Sequence, residues 1–182
     1  MRLFLAQRAR LHDYPALQKR IDPWVRGRWR TPDSLHATAL FLGNGYDVAD
    51  VIETVASLGP LPLSGADLRG IGRFPRNRIL YAAAEHPSLA QIHAALARVF
   101  GRTVQHPFVT HVTLMRYKQI DAAAFETLRN TLDNDVLGTL EGPLTLFRSV
   151  LGPQGARYEA LHVFDTAAHR LYVGDTFDDA RT

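Results

Sequence analysis

The chain has 182 residues, 46% hydrophobic and 21% charged, with a formal charge of +3, a balance that suits one globular domain or two small fused lobes around a real core. It has no cysteine, which excludes disulfides, thiolate metal sites and a cysteine nucleophile. No apolar run approaches the roughly 20 residues of a membrane span, and Gln7 and Arg8 cut short the opening "MRLFLA" before it makes a signal-peptide core, so a soluble cytoplasmic protein is expected.

"RLFLAQR" (2–8) reads as a strand. Asp13 can cap a helix with Pro15 in its first turn, and Leu17 and Ile21 are spaced for one face. "SLHATALFL" (34–42) is the next strand, and Asp47 opens a helix with Val48, Val51, Ile52 and Val55 inward. "LPLSGADLRGIGRF" (61–74) is again strand-like. The same order then returns. "RILYAAA" (78–84) is a strand, Ser88 with Gln91 reads as a capping box, and Leu89, Ile92, Leu96 and Val99 form a helical stripe. "VTHVTLM" (109–115) is a strand, and Asp121 opens a helix carrying Phe125, Leu128 and Leu132. "LTLFRSVLG" (144–152) and "RYEALHVFD" (157–165) follow as strands, with "GPQG" between them as a hairpin turn.

The offsets between the halves agree. Leu3 precedes His36 by 33 residues and Ile79 precedes His111 by 32; a proline lies four residues before each histidine, Pro32 and Pro107. This predicts an α+β fold: a bilobal, pseudo-symmetric duplication of a β-α-β-α-β unit, with antiparallel sheets facing a central cleft. The chain is read as one domain over residues 1–182, with two interleaved lobes and repeat units at approximately 1–75 and 76–165.

Each repeat holds one His-x-Thr: His36 with Thr38, and His111 with Thr113. With 8 histidines and 13 threonines in the chain, chance supplies roughly 0.6 such matches, so the pattern alone is weak. Its recurrence at equivalent places in a repeated unit favours a shared cleft over two packed core histidines. Strand alternation puts His36, Thr38, Leu40 and Leu42 on one face, and Val109, His111, Thr113 and Met115 on one face of the other strand. Facing each other, they bring two imidazoles and two hydroxyls together without a carboxylate. Two histidines supply a base and an acid near neutral pH, and two hydroxyls can donate to anionic oxygens, which is chemistry for displacement at phosphorus. Neither a metal nor a cofactor is required, and no third ligand is spaced for zinc. Of the 21 basic residues only Lys19 and Lys118 are lysine, leaving 19 arginines. The clusters Arg26, Arg28, Arg30 and Arg73, Arg76, Arg78 suit bidentate phosphate binding, and equally a composition bias toward arginine.

The paired H-x-T-x motifs in a two-lobe repeat, with "MRLFLA", "RWRTPDSLHATALFLGN", "GIGRFPRNRILYAA", "HPFVTHVTLMRYK" and "LFRSVLGPQGARYEAL", resemble the two-histidine (2H) phosphoesterase superfamily. The likeness is greatest to its 2′-5′ RNA ligase branch, also called RNA 2′,3′-cyclic phosphodiesterase. The resemblance implies hydrolysis of a terminal 2′,3′-cyclic phosphate to a 2′-phosphate, with His36 as proton donor to the leaving 3′-oxygen and His111 as the base that activates water. It implies that Thr38 and Thr113 hold the phosphate oxygens, and that 2′-5′ ligation is the reverse reaction without ATP. The implied partners are RNA ends or nucleoside 2′,3′-cyclic phosphates, with no membrane, no obligate protein partner and a monomeric chain. Arg76 and Arg78 are candidate RNA contacts because they flank a cleft-proximal strand. Arg116 matches an arginine that often follows the second motif, although alternation points it away from His111, as it does Phe41 from His36. Ala37 and Ala39 stand where the family carries more bulk, and Tyr81 where a tryptophan is common. The alternatives are a non-catalytic module binding RNA ends or cyclic nucleotides, and a two-histidine phosphodiesterase for 2′-5′ oligonucleotides or another cyclic phosphate.

Overall fold

The computed structural model describes residues 1–152 and 155–164. The elements in chain order are β1 (Arg2–Leu11), α1 (Tyr14–Ile21), β2 (Val25–Trp29), β3 (His36–Gly43), α2 (Val48–Ala56), β4 (Ala66–Arg69), β5 (Ile71–Phe74), β6 (Ile79–Ala83), α3 (Pro87–Val99), β7 (His111–Ile120), α4 (Ala122–Leu132), β8 (Val136–Gly152) and β9 (Gly155–Phe164). The fold is α+β, as the sequence predicts. Asp13, Asp47 and Asp121 each accept hydrogen bonds from first-turn amides of the helix they precede, which satisfies donors the helix cannot. The cap of α3 differs from the Ser88–Gln91 reading. His86 is the N-cap, its Nδ1 accepting from the Leu89 amide at 3.3 Å. The Ser88 hydroxyl instead meets Ser64 Oγ and His86 Nδ1.

All strand pairs are antiparallel, and the order across the open sheet is β4-β8-β1-β3-β7-β6-β5, with β9 also on β8 and β2 also on β7. The two predicted sheets are thus two halves of one sheet, nine-stranded among the described residues. They meet at one pair of residues, Ala37 opposite Val112. The halves interleave along the chain, because β8 and β9 come from its end and pair into the half that contains β1. Gly152 pairs with Gly155, while Pro153 and Gln154 of the predicted "GPQG" turn lie outside the described residues.

Residues from all four helices join Leu3, Leu5, Ala37, Leu40, Val112 and Leu114 in one core, so the helices cover one face of the sheet. On the other face, among the described residues, Phe4, Ala6 and Phe147 form a small buried apolar cluster with Tyr158 and Ala160 packed on it. Strand β2 was not legible in "VRGRW", since its charged residues face outward and only Val25 is fully buried. The 61–74 stretch is strand only from Ala66, broken between β4 and β5 at Gly70, whose φ of 66° suits glycine.

Gly27 shows how closely β2 lies on β7. A Cβ there would sit 2.4 Å from the Arg116 carbonyl oxygen and 2.5 Å from Tyr117 Cα, both backbone atoms that cannot turn aside. Gly27→Ala should therefore cost about 1–3 kcal/mol, the range for overpacking. A urea melt of the variant beside the wild type reads this directly; equal midpoints would show that the strands are not in contact there.

Candidate active site

The two motifs flank the junction of the half-sheets. With Ala37 opposite Val112, the antiparallel register sets His36 across from Thr113 and Thr38 across from His111. The residues between, Ala37 and Val112, are fully buried on the helix side, whereas the four motif side chains are partly exposed on the other. The structure therefore brings His36, Thr38, His111 and Thr113 to one surface, as the alternation of both strands predicts.

Strict alternation fails just beyond each threonine. Leu5 pairs with Leu40 and Ala6 with Thr38, so Ala39 is an extra residue in β3. Leu80 pairs with Met115 and Tyr81 with Thr113, so Leu114 is the equivalent extra residue in β7. Leu40, Leu42 and Met115, expected beside the histidines, are consequently buried in the core. Phe41 and Arg116, expected on the far side, turn back to the cleft face. Phe41 is 51% exposed with Arg2 5.5 Å from its ring, and Arg116 is exposed.

Both histidines are held alike. His36 Nδ1 lies 2.8 Å from the Ser34 carbonyl and His111 Nδ1 lies 2.8 Å from the Val109 carbonyl, each two residues upstream. A carbonyl only accepts, so each Nδ1 carries the proton and each Nε2 is left for chemistry. Aromatic rings support both imidazoles. His36 rests against Phe4 at 4.9 Å and Tyr158 at 5.0 Å; His111 rests against Phe74 at 4.9 Å and Tyr81 at 5.5 Å. Tyr81 lies over Gly72, where a Cβ would fall 2.4 Å from the ring. Among the described residues neither motif threonine hydroxyl has a hydrogen-bond partner, so both are available to a ligand.

Arg8 sits directly opposite His36 in the ladder, and Arg30 contributes charge at the same imidazole. Sequence reasoning placed neither in the site, though the strand register of β1 gives Arg8. Arg28 lies opposite Arg116. Arg78 lines a groove with Arg26 and Lys118, whereas Arg76 sits in the exposed turn between β5 and β6. Arg73 points to the helix side, over Phe125 and 3.9 Å from Glu126. Two of the remaining histidines, His86 and His93, do other work. His86 donates from Nε2 to Gln7 Oε1 at 2.8 Å. His93 donates from Nδ1 to the carbonyl of bulge residue Ala39 at 2.8 Å and accepts from the Gln105 amide. No three side chains of metal-binding type converge among the described residues.

Burial lowers the pKa of His36 from 6.5 to about 4; its bond to the Ser34 carbonyl opposes this, while the charges of Arg30, His111 and Arg8 reinforce it. Burial also lowers His111, against its bond to the Val109 carbonyl. The cleft therefore resists protonation, and most strongly at His36. An unfolded chain takes up the His36 proton near pH 6.5 and the folded one only near 4, so stability is lost as pH falls through that window, by up to about 3 kcal/mol. Urea melts at pH 7 and pH 4 should show a smaller loss for His36→Gln than for the wild type. A histidine NMR titration should place the His36 midpoint near 4; a midpoint near 6.5 with parallel melts would refute the burial argument.

Residues 8–145 match the family model of the 2′-5′ RNA ligase superfamily. The chain is 26% identical over 163 residues to the RNA 2′,3′-cyclic phosphodiesterase of Aquifex aeolicus (strain VF5), covering 81% of this chain and 86% of that one. Its fold is similar to the crystal structure of the Thermus thermophilus protein TT0787, at 26% identity and a TM-score of 0.68, over 93% of this chain and 100% of that one. It is similar also to E. coli LigT complexed with 3′-AMP, at 20% identity and a TM-score of 0.68, over 90% and 96%. With both motifs inside the matched span, the chain belongs to the 2′-5′ RNA ligase superfamily.

Proposed function

We propose that this protein hydrolyses the 2′,3′-cyclic phosphate at the end of an RNA to a 2′-phosphate, without a metal or cofactor. The observation that carries the reading is the matched anchoring of His36 and His111 by carbonyls two residues upstream, which leaves two Nε2 atoms and two unpartnered hydroxyls on one surface. The name of the Aquifex relative supports the same activity. The reaction has a defined proton path. His111 Nε2 takes a proton from water as its oxygen attacks phosphorus. The P–O3′ bond breaks, and the 3′-oxygen takes the proton of His36 Nε2. Thr38 and Thr113 donate to the non-bridging oxygens, and Arg8, Arg30 and Arg116 supply positive potential as charge builds on phosphorus. Replacing water by a 5′-hydroxyl and running these steps backward joins two RNAs through a 2′-5′ linkage without ATP. One chain supplies every group named in these steps.

The donor role of His36 has an electrostatic condition. The site by itself holds it at about 4, mostly neutral at pH 7. Burial is the main cause of that lowering, and the charges of Arg30 and Arg8 add to it; a bound phosphate anion favours the imidazolium against both, so binding of substrate raises the proton affinity of the acid. The test is incubation with 2′,3′-cyclic AMP and with a short RNA ending in a cyclic phosphate, followed by identification of the product isomer. The expected product is the 2′-phosphate, formed equally in the presence of chelator. His36→Ala and His111→Ala should each lose roughly 10²–10⁴-fold in rate. Full activity in either folded variant would remove that residue from the mechanism. Cyclic phosphate bound but never turned over by the wild type would favour a binding module.

A further inference from the structure

Strand β7 carries more than the second motif. After the bulge at Leu114, its cleft face continues from Thr113 to Arg116 and on to Lys118, both exposed. Arg28 stands directly opposite Arg116, and like charges facing across a ladder repel. Arg26 follows on the same strand, and a second irregularity in the pairing leaves Lys118 outside the ladder between Tyr117 and Gln119. At this end Arg26, Lys118 and Arg78 line an open groove of about 630 Å³ together with Trp24, which is 44% exposed. Arg78 holds a left-handed backbone at φ 52°, a conformation that costs energy in any residue but glycine.

None of these five cations has a carboxylate partner among the described residues, whereas Arg20, Arg69, Arg73, Arg129, Arg148 and Arg157 are all ion-paired. The one carboxylate in the groove's lining, Asp121, accepts from the Ala124 amide as the cap of α4. A row of cations without ion pairs, ending at an exposed indole, is the combination that binds single-stranded nucleic acid: charge follows the backbone, and the aromatic ring stacks a base. The distance fixes the length of the ligand. Thr113 to Lys118 spans roughly 15 Å of strand. A single nucleotide with its phosphate at the histidines does not reach Trp24, and a chain of several does.

We propose that the groove of Trp24, Arg26, Arg78 and Lys118 is a subsite for the nucleotides upstream of the RNA end, with Trp24 stacking a base and the cations holding phosphodiesters. This deepens the proposed function and rests on it for direction: a 2′,3′-cyclic phosphate is a 3′ end, so all remaining RNA lies on its 5′ side. The protein is thereby built for oligonucleotide ends rather than for free cyclic nucleotides.

The test separates the groove from the chemistry. Binding of a labelled single-stranded RNA of about eight nucleotides with a plain 3′-hydroxyl is measured by anisotropy at several salt concentrations, so it needs no turnover. Trp24→Ala should weaken binding by about tenfold or more. Arg26→Ala and Lys118→Ala should each weaken it and reduce the salt slope by about 0.7. In parallel, turnover of 2′,3′-cyclic AMP should be unchanged in all three variants, while kcat/KM for an RNA ending in a cyclic phosphate falls with the binding. Unchanged RNA affinity in the variants would overturn the subsite. So would losses equally large for heparin, which mark a general polyanion patch, or an equal fall for 2′,3′-cyclic AMP, which places the groove inside the reaction centre. If the wild type turns over neither substrate, the proposed function fails, and the binding series still decides the groove.

Discussion

The matched bulges at Ala39 and Leu114 govern what faces the cleft. A strand of strict alternation would put Leu40 and Met115 beside the motifs and bury Phe41 and Arg116. One extra residue in each strand reverses this, so the histidine and threonine before the bulge face the cleft and Leu40 and Met115 after it return to the core. A bulge leaves backbone groups outside the ladder, and buried ones must find partners. Here they do. The Ala39 carbonyl accepts from His93 Nδ1, and the Leu114 carbonyl accepts from the Arg30 amide at 2.8 Å and the Tyr14 hydroxyl at 3.3 Å. Helix α3 and the segment entering β3 thereby lock the two irregularities in place. His93 also binds the Gln105 amide, tying the first motif to the loop that leads into the second.

The two motif strands match in their backbone, each with a bulge one residue past its threonine, and differ in their chemistry. Around His36 the cleft face is aromatic, with Phe4, Phe147 and Tyr158, and Phe41 occupies the place that Arg116 takes in the other half. Opposite Thr38 stands Ala6, and opposite Thr113 stands Tyr81. Both sides of the cleft offer rings, and beyond Thr113 the second side adds the exposed cations Arg116 and Lys118, where the first has Phe41. An asymmetric ligand with a base and a charged chain is matched by such a surface, and a symmetric one is not. The two motif strands supply the pair of imidazoles, and the side chains around them differ from one half to the other.

Most of this was legible from periodicity. Capping aspartates, apolar spacing and the repeat itself give α1, α2, α4 and the two motif strands, and the motif residues meet as alternation requires. What escaped had physical reasons. Strand β2 hides because "VRGRW" buries one residue fully and shows its arginines to solvent, so it carries no hydrophobic period. The first part of β8 hides behind Gly138, Gly142 and Pro143, residues that read as turn. The helix α3 cap was misplaced because a histidine can accept from a first-turn amide as well as a serine can, once its other nitrogen is bound by Gln7. Bulges leave no mark in composition: "HATAL" and "HVTLM" look like ordinary strand until the pairing is seen. Arg8 and Arg30 join His36 only through strand register and backbone pairing.

The electrostatics of the cleft follow from the same arrangement. Backing His36 with Phe4 and Tyr158 gives it a fixed orientation and strips it of water, and Arg8 and Arg30 add like charge to the imidazolium. Each of these lowers its proton affinity. In the proposed mechanism the site therefore holds its acid, His36, discharged until an anion arrives. This is a form of selection. A neutral ligand does nothing to raise the proton affinity, while in that proposal a phosphate meets the hydroxyls of Thr38 and Thr113 and opposes the charges of Arg30 and Arg8. The group that binds is then the group that arms the acid, and water held alone in the cleft meets two neutral imidazoles.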